Sequence, residues 1–204
     1  MLLVSNISSG YGKNQVIYDV SMQVKRGDVV LLTGGNGSGK STLLKCIYNL
    51  LPCWRGEIFF EGDKINDLKS SDLIRKGIVY IPQKDFCFEN LTIDENLQIA
   101  GNILHKELLK ERITEVYKLT RLGKFKNRKP FHLSGGEKKL LAFGMALIHN
   151  PKLVLFDEPL SGLSKKNIDN IVNLLFEQKK NNIGFIVIEH TKKIISDKIF
   201  KLTI

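Results

Sequence analysis

Cysteine is scarce in this chain of 204 residues. Only Cys46, Cys53 and Cys87 occur, and none stands in a C-x-x-C spacing. That argues against a disulfide framework or a thiolate zinc site and fits a reducing compartment. Cys46 falls on a helical pattern and reads as a small core residue. Long apolar runs are missing as well. None reaches the roughly 20 residues needed to span a bilayer, so no segment is expected to cross a membrane alone. No leader is expected either: Met1 runs into LLVSNISSGYG without a basic start or a small-residue cleavage site. Dense blocks of one charge are also lacking. The net charge is +10, yet the lysines are spread out, and HKELLKER at 105–112 mixes both signs. This reads as a basic background composition rather than a nucleic-acid surface, and no specific nucleic-acid partner is expected. No internal repeat, low-complexity tract or linker interrupts the chain.

What is present is a set of short, continuous apolar runs. DVVLLT (28–33), GIVYIP (77–82), KLVLFDEP (152–159) and IGFIVIEH (183–190) read as strands buried on both faces. Such strands belong to a parallel sheet covered by helices. Helical stripes lie between them: Leu140, Leu141, Gly144, Leu147 and Ile148 in one segment, Leu109, Ile113, Val116 and Leu119 in another. The N-terminal part, with GEIFFEG after it, suggests a small antiparallel sheet, and DKIFKLTI a last strand. The expected fold is α/β, with a mainly parallel sheet, an N-terminal antiparallel β subdomain and an inserted α-helical lobe. The expected organisation is one domain over 1–204, with the lobe at about 86–130.

LLTGGNGSGKSTLL (31–44) supplies the first chemistry. Gly34, Gly39, Lys40 and Ser41 match G-x-x-x-x-G-K-[ST], with a strand before and a helix after. Glycines let the backbone N–H groups of Gly34, Gly35, Asn36, Gly37, Ser38 and Gly39 turn inward around phosphate oxygens. The helix N-terminus adds its positive dipole end. Lys40 would reach the outer phosphates, the Ser41 hydroxyl would ligate Mg²⁺, and Thr42 would add a phosphate contact. This pattern means a nucleoside triphosphate and little more.

LVLFDEP narrows it. A buried strand ending in Asp157 brings that carboxylate beside the loop, where it can hold the metal directly or through water. Glu158 follows and is suited to orient and deprotonate an attacking water. Two adjacent acids favour hydrolysis over mere binding, because one suffices for the metal.

LSGGEKK (133–139) discriminates further. It opens a helix with Ser134, Gly135 and Gly136, a second phosphate-binding N-terminus. One chain has little use for two anion sites, whereas two chains head to tail would each cover the other's nucleotide. Together with the loop at 34–42 and LFDEP, this stretch resembles the ATP-binding cassette (ABC) ATPase family, over essentially the whole chain and in the family's order. The resemblance implies a P-loop NTPase core, ATP and Mg²⁺ as cofactors, and further roles. Tyr11 would stack on adenine, Gln83 in YIPQ would reach the metal and the water, and His190 in IVIEHT would contact the γ-phosphate. Catalysis would then fall to Glu158, His190, Lys40 and Gln83, and metal binding to Ser41, Gln83 and Asp157.

Some positions depart from the family pattern. Gly35 stands where proline is common, Ser164 where many members have aspartate, and Met145 where arginine is common. The wording around 133–163 is most similar to branched-chain amino acid importer ATPases. The resemblance therefore implies a cytoplasmic subunit, peripheral on the inner face of the membrane. Its partners would be a second ABC ATPase subunit and integral membrane permease subunits. Phe86, Phe88 and Leu91 could line a groove for such a partner or form lobe core. The alternative is a soluble ABC ATPase in iron–sulfur assembly or nucleic-acid-associated work. A regulator without turnover would lack a catalytic group, and Glu158 and His190 are both present.

Overall fold

The described residues of this computed structural model are 1–84, 87–189, 194 and 196–202. The chain opens with an antiparallel hairpin of β1 (Leu2–Tyr11) and β2 (Asn14–Val24). Its turn is tight enough that a Cβ on Gly10 would sit 2.0 Å from the Asn14 carbonyl oxygen, so only glycine fits there and Tyr11 is held at the sheet end. β3 (Val29–Thr33) then leads into helix α1 (Lys40–Ile47). β4 (Arg55–Phe60) and β5 (Asp63–Lys64) return to the hairpin and complete a four-stranded antiparallel sheet, ordered β2-β1-β4-β5.

Helix α2 (Ser70–Lys76) precedes β6 (Ile78–Ile81). A helical stretch follows: α3 (Ile93–Ala100), α4 (Lys106–Thr120) and 3₁₀ turns at Leu122–Phe125 and Pro130–His132. Helix α5 (Gly135–Leu147) leads from there to β7 (Leu153–Asp157), α6 (Lys165–Lys180), β8 (Gly184–Ile188) and β9 (Lys198–Lys201). The second sheet is parallel, ordered β6-β7-β8-β3-β9.

The apolar runs are explained by what lies on each face of this sheet. In β7, Val154 and Phe156 join a core built with α5 and α6, while Leu153 and Leu155 join a core shared with α1 and the antiparallel sheet. Successive side chains point to opposite faces, so every position is apolar. Helix α5 threads the first core. Its Phe143 ring lies 5.4 Å from that of Phe156 and 6.0 Å from that of Phe185, both edge-on. Gly144 lets α4 approach closely, since a Cβ there would meet Val116 Cγ1 at 2.6 Å. The stripe on α4 is weaker than its spacing suggests: Val116 is buried, but Leu119 is exposed. Thr120, one residue on, is buried in its place and faces α5, where a Cβ on Gly144 would lie 3.4 Å from its Cγ2. Helix α2 escaped the sequence reading because it is short and buries only Leu73. Thr92 and Ser134 begin α3 and α5 with reciprocal capping boxes to Glu95 and Glu137.

Candidate functional site

The parallel topology gathers the predicted residues at the carboxyl ends of the strands, the usual ligand crevice of an open α/β sheet. The loop after β3 carries Gly34–Gly39, Asp157 and Glu158 end β7, and Gln83 follows β6. His190 follows β8 in sequence but lies outside the described residues, as does Phe86.

The phosphate loop is preformed. Gly37 and Gly39 have φ of 81° and 83°, left-handed values natural to glycine. A Cβ at Gly39 would meet Ile17 Cγ2 at 2.7 Å, so β2 packs directly against the loop. No side chain caps α1, which leaves its amide donors to the loop. The Lys40 ammonium donates to the carbonyl oxygens of Gly34 (3.1 Å) and Gly35 (2.8 Å), folding over the loop it serves. A cleft of about 350 Å³ is bounded by Tyr11, the loop from Asn36 to Thr42, and Glu158. Tyr11 is 46% exposed, and the Lys45 ammonium sits 5.9 Å from its ring centroid. An open aromatic face at the rim suits stacking on a base.

The carboxylates differ from each other. Asp157 is 3% exposed. Its Oδ2 accepts from the Tyr80 hydroxyl at 3.3 Å, while Oδ1 is buried with no hydrogen-bond partner among the described residues. Burial pushes its carboxyl above the ordinary range, opposed by the nearby Ser41 and Tyr80 hydroxyls and by Lys45, with Glu158 adding to the rise. Burial, then Asp157, also pushes the Tyr80 phenol upward, which keeps it a neutral donor. An orphaned carboxylate oxygen close to the Ser41 hydroxyl is a hard-oxygen donor set, and it fits Mg²⁺. Glu158 adopts φ 48°, a backbone region uncommon for a side chain of this kind. Its amide is held by the Ile188 carbonyl at 3.1 Å, and its Oε2 accepts from Gln83 Nε2.

Two further residues were not singled out from the sequence. Lys139, 6% exposed on α5, donates to the Gln83 carbonyl at 2.8 Å. Burial pushes its ammonium down, while Asp157, Glu189 and Glu158 oppose that. Glu189, 4% exposed, accepts from the Leu160 amide at 2.6 Å and so ties the end of β8 to the loop after Glu158. The available signal was position alone: Lys139 falls within LSGGEKK and Glu189 directly after the apolar run IGFIVI.

Ser134, Gly135 and Gly136 do not join this cleft. Ser134 lines a separate cavity between the end of α4 and α6. Its hydroxyl accepts from the Glu137 amide (3.3 Å) and donates to Glu137 Oε2 (2.8 Å). Gly136 packs against α6, where a Cβ would meet Asn167 Cγ at 2.2 Å. Ser164 begins α6 without a side-chain capping bond.

Known proteins share both the sequence and this fold. A family model described as ABC transporter matches residues 17–161. The high-affinity branched-chain amino acid transport ATP-binding protein BraG of Pseudomonas aeruginosa is 36% identical over 190 residues, covering 93% of this chain and 82% of that protein. A probable branched-chain amino acid transport ATP-binding protein, LivF of Archaeoglobus fulgidus, is 38% identical over 167 residues, covering 81% and 71%. Among solved structures, a nucleotide-free ATP-binding cassette from an ABC transporter superposes with a TM-score of 0.91 at 31% identity, covering 99% of this chain and 87% of that one. A dimeric cassette in a post-hydrolysis state bound to ADP and Pi gives 0.87 at 27% identity, covering 100% and 94%. The chain belongs to the ABC transporter family and is an ATPase of the nucleotide-binding cassette class. Within that class it resembles the ATPases of branched-chain amino acid importers.

Proposed function

We propose that this chain energises a membrane transporter by binding and hydrolysing ATP, driving two cassettes together head to tail. The carrying observation is the separation of its two anion-binding helix starts. The loop at 34–42 bounds the nucleotide cleft with Tyr11 and Glu158, whereas Ser134 lines a different cavity. A helix start that cannot serve its own cleft suits a partner's. The chain would act as one ABC ATPase domain over 1–204, with 86–130 as its helical lobe.

In this reading the loop and Lys40 hold the phosphates, and Tyr11 stacks on the adenine. Ser41, Gln83 and Asp157 would hold Mg²⁺, which when bound neutralises charge on the phosphates. Glu158, aligned by Gln83, takes a proton from the attacking water. His190 contacts the γ-phosphate. Ser134, Gly135 and Gly136 of one cassette close over the nucleotide of the other. The relatives named above are transport proteins, which favours integral membrane permease subunits as partners over the soluble alternative, and a location on the inner face of the membrane. No helix among the described residues is long and apolar enough to cross a membrane, so the permease would supply the spanning part. A branched-chain amino acid is the cargo class to test first.

The test is Glu158→Gln. Loss of a general base lowers turnover by about 10²–10⁴-fold. The variant should still bind ATP and elute as an ATP-dependent dimer in size-exclusion chromatography. Turnover at the wild-type rate would remove Glu158 from the role of base, and a monomer with ATP bound would remove the dimer mechanism. Gentle purification from native membranes should bring a permease subunit with the chain.

A further inference from the structure

Helix α5 reaches the hydrolytic site through a buried lysine. Lys139 lies one turn past its capped start, close to Asp157, Glu158 and Glu189. A lysine this buried loses solvation and conformational freedom, so its placement needs a compensating contact. The Gln83 carbonyl, 2.8 Å away, supplies one. The same Gln83 donates through Nε2 to Glu158. Backbone and side chain of one residue are thus held separately, by α5 and by the base.

We propose that Lys139 is a positioning residue that fixes the Gln83 segment and, through the Gln83 side chain, the place of Glu158. The proposal rests on the site assignment above and adds a link inside the chain. Helix α5 starts with the Ser134–Gly136 turn, which is expected to meet the partner's nucleotide. Lys139 thus ties the helix that carries this turn to the group that activates water. Glu189 completes the arrangement by holding the Leu160 amide, which keeps the segment after Glu158 in register. The bland alternative is that Lys139 only balances buried carboxylates. The two readings differ in what a charge-balanced substitution does.

The experiment compares Lys139→Met with the double variant Lys139→Met/Glu189→Gln. The double variant removes one charge of each sign and keeps an acceptor for the Leu160 amide. Three quantities are read: kcat for ATP, affinity for ATP by competition against trinitrophenyl-ATP, and Tm. Misplacing a reacting group by about 1 Å costs on the order of a hundredfold. The expected result is kcat lowered by about ten- to a hundredfold in both variants, with ATP affinity within about threefold of wild type. Tm should drop in the single variant and recover in the double one. If Lys139→Met does not fold, the double variant carries the test alone. A folded double variant with kcat within about threefold of wild type overturns the proposal, since charge balance alone would then suffice. Glu158→Gln separates the two levels. If it is inactive while the double variant is active, only the role of Lys139 falls. If it is active, the site assignment itself falls.

Discussion

Asp157→Asn tests the reading of the metal site most directly, because it should raise stability while abolishing function. Asp157 Oδ1 is buried without a hydrogen-bond partner among the described residues, and burial has raised its carboxyl above the ordinary range. A buried unsatisfied polar atom costs about 1–3 kcal/mol, and more when charged. The folded carboxyl therefore holds its proton more tightly than the unfolded one. Its contribution to stability is complete at acidic pH, below the unfolded value, and is lost as pH rises through the folded value. At neutral pH the whole penalty is present. Asparagine keeps a polar atom at the unpartnered position but removes the charge, so only the charge-dependent part of the cost is relieved; at about 1 kcal/mol the nucleotide-free variant should melt about 2–4 °C above wild type at pH 7.5. The gain should shrink on acidification towards the carboxylate range. Wild type, in contrast, should be stabilised by Mg-ATP by about 2.7 kcal/mol at a hundredfold excess over its dissociation constant. The variant should gain less from Mg²⁺ than wild type does when ATP with Mg²⁺ is compared with ATP and EDTA. Differential scanning fluorimetry across pH measures all of this. A nucleotide-free variant that melts below wild type at neutral pH would refute the claim that Asp157 is a destabilised ligand awaiting a cation.

Two further substitutions probe the base site and the core. Tyr11→Ala removes the exposed ring from the rim of the cleft, and base stacking of about 1–3 kcal/mol should be lost, raising the dissociation constant for ATP about fivefold or more with kcat little changed. An unchanged affinity would leave adenine recognition to other groups. Phe143→Ala deletes a fully buried ring between Phe156 and Phe185 and should cost about 3–5 kcal/mol. Urea denaturation should show a lower midpoint at unchanged slope.

Much of the fold can be read from the sequence because the parallel sheet is buried on both faces. β3, β6, β7 and β8 each fall inside an uninterrupted apolar run, and no alternation has to be detected. The phosphate loop is equally readable, since its strand, glycines, lysine and serine are contiguous. The capping box at Thr92–Glu95 was open to the same treatment and would have marked the start of α3. Placement of β9 beside β3 was not readable, because DKIFKLTI says strand but not neighbour. Helix α2 has too little buried surface to set up a period. The burial of Lys139 and Glu189 is not legible in the sequence, because their partners, Gln83 and Leu160, are 56 and 29 residues away.

The groups around the cleft share a physical character. Elsewhere in the chain most local preferences agree with the fold, although Glu61 and Arg121 also hold positive φ. Around the cleft they are broken together. Ser38 Oγ and Asp157 Oδ1 are buried without partners among the described residues, Glu158 holds a left-handed backbone, and Lys139 is a desolvated ammonium. Each is locally unfavourable, and each is held by rigid surroundings: the loop against β2, the Ile188 carbonyl behind Glu158, the Gln83 carbonyl on Lys139. A site built this way binds its ligand partly by relieving costs already present in the empty protein, and Asp157→Asn and the Lys139 pair measure two of those costs separately. Stability gained with function lost at Asp157, and stability restored without function at Lys139, would have one cause: the scaffold holds groups where ATP needs them rather than where folding alone would put them.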